Sequence, residues 1–97
     1  MKYTVYQLKE SCIDKLFATY DQTMELGGID PNEYEAVFSE NIEPKKTVEA
    51  TLEEIFVKLN MYLPTEFRGH SLSISDIVAI EGVGKFFCDW VGFKKIN

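Results

Sequence analysis

The chain has 97 residues, of which 45% are hydrophobic and 13% aromatic, and its formal net charge is −6. This length accommodates one hydrophobic core, so we expect a single domain over residues 1–97, and the composition is unlike that of disordered segments. The excess of acid disfavours direct binding to nucleic acid, because such binding depends on a basic surface that displaces counterions.

The first predicted element is a strand over residues 2–8, KYTVYQL. Its odd-numbered residues from Tyr3 to Gln7 point to one face and its even-numbered residues from Thr4 to Leu8 to the other. Aromatic and β-branched side chains favour a strand here.

Residues 11–28, SCIDKLFATYDQTMELGG, have apolar residues near helical spacing and end in two glycines. This pattern predicts either one helix or two short helical turns. A turn follows at Asp30, because the residue before Pro31 is disfavoured from helical geometry. The apolar residues of the segment are Ile13, Leu16, Phe17, Tyr20, Met24 and Leu26.

Residues 33–42, EYEAVFSENI, predict a second strand that ends before Pro44. Its acidic residues are expected on the solvent side. The residues that alternate are Tyr34, Ala36 and Phe38 on one face and Glu33, Glu35 and Val37 on the other.

Residues 51–63, TLEEIFVKLNMYL, predict a helix that ends before Pro64. Thr51 and Glu54 have the spacing of a capping box, in which each side chain satisfies a free backbone N–H of the first turn. The predicted buried stripe consists of Leu52, Ile55, Phe56 and Leu59.

Residues 76–96, DIVAIEGVGKFFCDWVGFKKI, predict two or three strands that end in a hairpin. The GVG sequence at 82–84 supplies a flexible turn, and Gly92 marks a bend. Together these elements predict an α+β fold: one small domain with a mostly antiparallel sheet, two helices and a C-terminal β-hairpin.

The apolar pattern and the cysteines argue against several other classes of protein. No run of about eighteen apolar residues exists, and the N-terminal residues alternate instead of forming a signal peptide. We therefore expect a soluble, cytoplasmic protein without membrane contact. Cys12 and Cys88 lie far apart in the sequence and neither is near His70, so we expect reduced, buried thiols, no metal and no cofactor.

Residues 66–76, EFRGHSLSISD, contain the only histidine of the chain. A catalytic interpretation requires a serine within hydrogen-bonding distance of that histidine, but His70 and Ser71 are adjacent and point apart in an extended segment. The G-x-S-x-G turn of many nucleophilic serines is also absent. We therefore predict no catalytic residue and no enzymatic activity.

The alternative interpretation of this segment is a structural corner. Gly69 would take a positive φ, His70 would hydrogen-bond backbone groups, and the serines or Asp76 would cap free donors before the next strand. The residues assigned to this corner are Arg68, Gly69, His70, Ser71, Ser73, Ser75 and Asp76.

Acidic residues are concentrated between Lys15 and Lys45, where there is no lysine or arginine. One interpretation is a solvated surface that keeps a small protein in solution. The other is a docking face for the basic groove of a partner, with exposed aromatics such as Trp90 or Tyr62 as anchors. The candidate partner-binding residues are Asp21, Glu25, Asp30, Glu33, Glu35, Glu40 and Glu43.

The corner segment FRGHSLSISDIV resembles the G-H-S-L-S-V-S-D-V signature of the YodL-like domain family, with Ile74 in place of the usual valine. The blocks YQLK, YD, EYEAVF, TLEEIFVKLN and FFCDWVGFKKI also resemble that family, so the resemblance covers nearly the whole chain. Cys88 and Trp90 fall at positions where more variable residues are expected.

The resemblance implies a non-enzymatic domain, found mostly in Gram-positive bacteria and often carried on conjugative elements and phages. Two hypotheses follow. In the first, the protein is an anti-CRISPR or antirestriction inhibitor whose acidic face occludes the nucleic-acid groove of a nuclease or CRISPR effector. In the second, it is an adaptor that binds another cytosolic protein through an apolar patch.

Overall fold

The computed structural model describes residues 1–97 as one five-stranded sheet with helices on both faces. Neighbouring strands are antiparallel and follow the order β2-β1-β3-β4-β5. This architecture confirms the predicted α+β class. The elements are β1 (Lys2–Leu8), α1 (Tyr20–Glu25), β2 (Tyr34–Asn41), α2 (Val48–Met61), β3 (Ile77–Ile80), β4 (Gly84–Cys88) and β5 (Phe93–Lys95), with 3₁₀ helices at Glu10–Lys15 and Pro31–Glu33.

The larger core lies between α2 and one face of the sheet. The helix contributes Leu52, Ile55 and Leu59, which are almost completely buried, and thereby confirms most of the predicted stripe. Phe56 is only partly buried at the edge of this core. The sheet and the corner contribute Tyr3, Val5, Val37, Phe38, Leu72, Val78, Ile80 and Phe86.

The predicted start of this helix was wrong, because α2 begins one turn earlier. Thr47 is the N-cap, and its hydroxyl accepts a hydrogen bond from the Ala50 N–H at 3.0 Å. Thr51 is buried inside the helix, where its hydroxyl accepts from Lys45 N and donates to Thr47 O. The extra turn also places Val48 against the core, which favours the earlier start.

A smaller core lies on the opposite face, under the first 3₁₀ helix and α1. It consists of Leu8, Cys12, Tyr34, Ile77 and Phe87, with four partly buried neighbours. Edge-to-face packing of Tyr20 on Phe87, with ring centroids 5.7 Å apart, joins α1 to the sheet.

Residues 11–28 therefore form two short helices and not one. Thr19 starts α1 with a capping box, because its hydroxyl accepts from Gln22 N while the Gln22 side chain accepts from Thr19 N. The chain reverses just before this cap at Phe17, which has a left-handed φ of 63°. The apolar residues of this segment do not share one buried face, since Ile13 is 74% exposed whereas Lys15 is buried.

A β-bulge breaks the predicted alternation of β2. Val5 pairs with Phe38 and the next residue, Tyr6, pairs with Ala36, so Val37 is the extra residue. Val37 and Phe38 are consequently both buried in the larger core, while Ala36 is exposed. The predicted alternation therefore holds from Tyr34 to Val37 and is wrong at Phe38, which was expected on the face opposite to Val37.

The C-terminal segment forms three strands, and the predicted hairpin is its last part. Gly82 takes a φ of 79° in the turn between β3 and β4, a conformation that suits glycine. Cys12 and Cys88 are free and buried, as predicted, and burial raises the pKa of the Cys88 thiol to about 12. Neither helix has the length and apolar character that crossing a bilayer requires.

Candidate functional site

The corner after α2 forms a buried polar network with the end of β1. Gln7 is 2% exposed and reaches across the sheet end. Its Nε2 donates to Asp76 Oδ2 at 3.0 Å and to His70 O at 2.8 Å, and its Oε1 accepts from His70 N at 3.2 Å. One amide side chain therefore fixes both ends of the corner.

Gly69 is required here for a reason that differs from the prediction. It does not have a positive φ. Instead, a Cβ at this position would lie 1.8 Å from Gln7 Oε1, so the absence of a side chain lets Gln7 approach the corner backbone. The left-handed residue of the corner is Ser75, with a φ of 83°.

Ser75 connects the corner to the opposite face of the sheet. Its hydroxyl accepts from Phe17 N at 3.2 Å, and its carbonyl accepts from the Tyr34 hydroxyl at 2.7 Å. Phe17 and Ser75 are also the two non-glycine residues with positive φ. Two strained backbone positions thus support each other, an arrangement that persists only where the surroundings hold both in place.

Asp76 is completely buried at the start of β3. Its Oδ2 accepts from Ser73 N at 2.8 Å, which confirms the predicted capping role. No ammonium or guanidinium group bonds to this carboxyl, and burial raises its pKa to about 8. Burial thus favours the neutral carboxyl, while the hydrogen bonds from Ser73 and Gln7 act in the opposite direction.

The other oxygen of Asp76 faces the histidine. Asp76 Oδ1 and His70 Nε2 lie 4.0 Å apart, and neither atom has a hydrogen-bond partner. The second ring nitrogen, Nδ1, lies 2.7 Å from Ser71 O, so His70 bonds a backbone group as predicted. The ring also packs edge-on against Phe17, with centroids 5.7 Å apart.

The hydroxyls of Ser73 and Ser75 bond to the backbone, and no serine hydroxyl of the corner bonds to the histidine. Ser73 Oγ donates to Ser71 O at 2.8 Å, and Ser75 Oγ accepts from Phe17 N. Arg68 contributes its N–H, which donates to Val37 O at 3.1 Å. These contacts hold the chain in its turn.

The seven acidic residues predicted to bind a partner do not share one surface. Glu33 forms an ion pair with Lys15 at 2.6 Å on the face that carries α1. Glu40 pairs with Lys58 and accepts from the Tyr3 hydroxyl on the face that carries α2. The remaining five, all exposed and without an ion pair, are Asp21, Glu25, Asp30, Glu35 and Glu43.

An acidic layer nevertheless covers the outside of the first 3₁₀ helix and α1. Lys15 lies inside it, and Glu33 raises the pKa of this lysine, with Asp14 and Asp30 adding to the effect. Sequence reasoning missed two members because they precede Lys15. We define the acidic layer as the exposed residues Glu10, Asp14, Asp21, Glu25 and Asp30.

An exposed aromatic residue lies beside this layer. Trp90 and Val91, in the turn between β4 and β5, are 74% and 82% exposed. Asp89 Oδ1 accepts from Tyr20 N at 2.9 Å and from Trp90 N at 2.8 Å, so the turn is fixed to the first residue of α1. Tyr62, the other candidate anchor, is exposed at the far end of α2.

The molecule is thus a small three-layer α+β domain with a buried polar corner, an acidic layer and an exposed tryptophan. The chain belongs to the YodL-like domain family, whose model matches residues 2–97. The searches of curated proteins and of solved structures gave no match.

Proposed function

We propose that this domain is a non-enzymatic protein-binding module that inhibits a host defence protein, as an anti-CRISPR or antirestriction factor. In this proposal the acidic layer occupies a basic groove of a nuclease or CRISPR effector and excludes its nucleic acid. The observation that carries the proposal is the position of Trp90 beside carboxylates that have no cation partner within the chain.

The proposed mechanism combines charge with one apolar anchor. The carboxylates of Asp21 and Glu25, one turn apart on α1, take the places of backbone phosphates in the groove. Long-range attraction between the acidic layer and a basic partner speeds association at low ionic strength. Trp90 supplies desolvated contact area, since tryptophan is among the residues that contribute most to protein interfaces.

Two features of the corner support a non-enzymatic role. The hydroxyls of Ser73 and Ser75 bond to backbone groups, and His70 bonds to a backbone carbonyl. A nucleophile and its general base would instead be within hydrogen-bonding distance of each other.

The proposal is tested by affinity purification from a Gram-positive lysate that contains restriction and CRISPR effectors, with washes at low and high salt. We expect mass spectrometry to identify a nuclease or its guide complex that is lost at high salt, because screening weakens exposed charge contacts. Capture of a salt-resistant protein of another class would contradict the electrostatic mechanism.

Matched charge reversals then locate the interface on the captured partner. Asp21→Lys with Glu25→Lys should weaken binding by at least about tenfold. The control, Glu49→Lys with Glu81→Lys, introduces the same charge at exposed sites outside the acidic layer and should leave affinity unchanged. Equal effects of the two variants would mean that net charge matters and the acidic layer does not.

A second candidate function is an adaptor that binds through an apolar patch. The observation in its favour is the end of α2, where Met61, Tyr62 and Leu63 are exposed next to Val57. Such a complex would survive the high-salt wash and would be lost on Met61→Ser with Tyr62→Ser.

A further inference from the structure

An open cleft of about 700 Å³ lies between α1 and the sheet, on the side of the smaller core. Tyr6 and Ile77 of the sheet and Tyr20 and Met24 of α1 are among the residues that line it. This volume is within the range of sites for small molecules, which are concave and mostly apolar. The acidic layer lies on the outside of α1, so the cleft is a separate feature.

The charge at the cleft is opposite to that of the protein as a whole. No aspartate or glutamate lines it, whereas Lys85 and Lys95 do. Both lysines are exposed and neither forms an ion pair. A neighbouring groove shares Lys85 and adds Lys2, with Glu81 as its one acidic residue. In a chain with 10 basic and 16 acidic residues, unpaired lysines at a cleft without acids favour an anionic ligand.

The tyrosine rings of the cleft are held by packing, but two of their hydroxyls make no hydrogen bond within the chain. Lys94 lies over the ring of Tyr20, with its Nζ 4.8 Å from the centroid, and Phe87 contacts the same ring edge-on. The Tyr34 hydroxyl donates to Ser75 O, whereas the hydroxyls of Tyr6 and Tyr20 make no hydrogen bond within the chain. The cleft therefore offers apolar surface together with two free hydroxyl groups.

We propose that this cleft binds a small organic anion with a planar aromatic body. The aromatic body lies against Tyr6, Ile77 and Ile96, where contact with apolar side chains removes it from water. The anionic group, a carboxylate, sulfonate or phosphate, lies between Lys85 and Lys95. This site does not depend on the proposed inhibitor function, because none of its lining residues belongs to the acidic layer.

The experiment uses 8-anilinonaphthalene-1-sulfonate, which has both an aromatic body and one negative charge. We expect saturable fluorescence enhancement with one site per chain. Amide shift changes in a two-dimensional NMR spectrum should be centred on Tyr6, Met24, Ile77 and Ile96, with the dispersion of the folded protein retained. Shift changes centred on Met61 to Leu63, or loss of dispersion, would overturn the proposal.

Two variants test the two parts of the site separately. Lys85→Glu with Lys95→Glu should weaken binding of the probe by about tenfold or more, because the anion loses both cations. Met24→Trp places a larger side chain in the cleft and should reduce binding by a similar factor without a change of charge. The matched control, Lys46→Glu with Arg68→Glu, reverses two exposed, unpaired charges away from the cleft and should leave binding unchanged. Equal affinities for all four proteins would overturn the proposal.

Discussion

The two faces of the sheet differ in how they are covered. On one face, the 14-residue helix α2 packs its apolar stripe onto the sheet, and together they form a core of 11 buried residues. On the other, two short helical segments cover a core of five residues and carry four exposed carboxylates that form no ion pair. We therefore expect substitutions in α2 and its core to cost more stability than substitutions in the opposite layer.

Substitution in the larger core should have the greatest effect. Ile55→Ala removes a completely buried side chain and leaves a cavity, so the free energy of unfolding should fall by about 3 kcal/mol. Ile13→Ala, at a 74% exposed position of the opposite layer, should change it by less than about 0.5 kcal/mol. Urea unfolding of both variants measures the difference, and similar losses would contradict the expected contrast between the faces.

Gly69→Ala tests the corner that joins the two layers. The added Cβ displaces the Gln7 side chain and breaks its bonds to His70 and Asp76, so we expect a loss of about 2 kcal/mol. If Gln7 is the cause, Gln7→Ala with Gly69→Ala should cost clearly less than the sum of the single variants. Additive losses of stability would show that the effect of Gly69→Ala does not act through Gln7.

The stability of the domain should depend on the protonation of Asp76. Its pKa is 3.8 ordinarily and about 8 in the fold, so between these values the folded state holds a proton that the unfolded state releases. Stability should therefore fall as pH rises through this range, by about 1.4 kcal/mol per pH unit, and level off above it.

Asp76→Asn isolates this contribution from other titrating groups. The amide stays neutral at every pH and can accept from Gln7 and Ser73 in the same way. The difference in unfolding free energy between the two proteins should grow in favour of the asparagine variant from pH 5 to pH 8. A constant difference would show that Asp76 is ionised in the fold.

A small increase in stability is expected at Phe17. Phe17→Gly removes the side chain that makes a φ of 63° unfavourable, and the ring it removes is 55% exposed. The backbone strain relieved at this position should outweigh the lost contact of the ring with His70. The free energy of unfolding should therefore rise by about 0.5 kcal/mol. Thermal unfolding measures this gain. Phe17→Ala is the control: it loses the same ring but keeps Cβ, so it should destabilise the protein.

The spacing of apolar residues correctly identified the elements that have a regular pattern of burial. The stripe of Leu52, Ile55 and Leu59 and the alternation of β1 were both correct, because α2 has one regular apolar face and β1 alternates regularly between the two faces of the sheet. The start of α2 was misplaced because Thr47 and Thr51 are one turn apart and both suit a cap. The β2 pattern failed at Val37, since a bulge depends on the partner strand and has no signature in the strand itself.

The candidate site was less predictable than the fold. The role of the corner was inferred from its residue types, but its main partner, Gln7, lies 63 residues from His70 in the sequence and gives no local signal. The acidic segment was visible as a run of charge, but sequence position does not reveal that Glu33 and Glu40 pair with lysines on opposite faces. A run of acidic residues in the sequence therefore does not predict that their side chains share one surface.

The contact between Arg68 and Val37 has a consequence for self-assembly. β2 is an edge strand of eight residues, and a long free edge can recruit a strand from another molecule. The N–H of Arg68 occupies the Val37 carbonyl at the bulge, midway along this edge. The open hydrogen-bonding groups of β2 are thereby divided into two short runs, so this edge offers a second copy no continuous template for strand pairing.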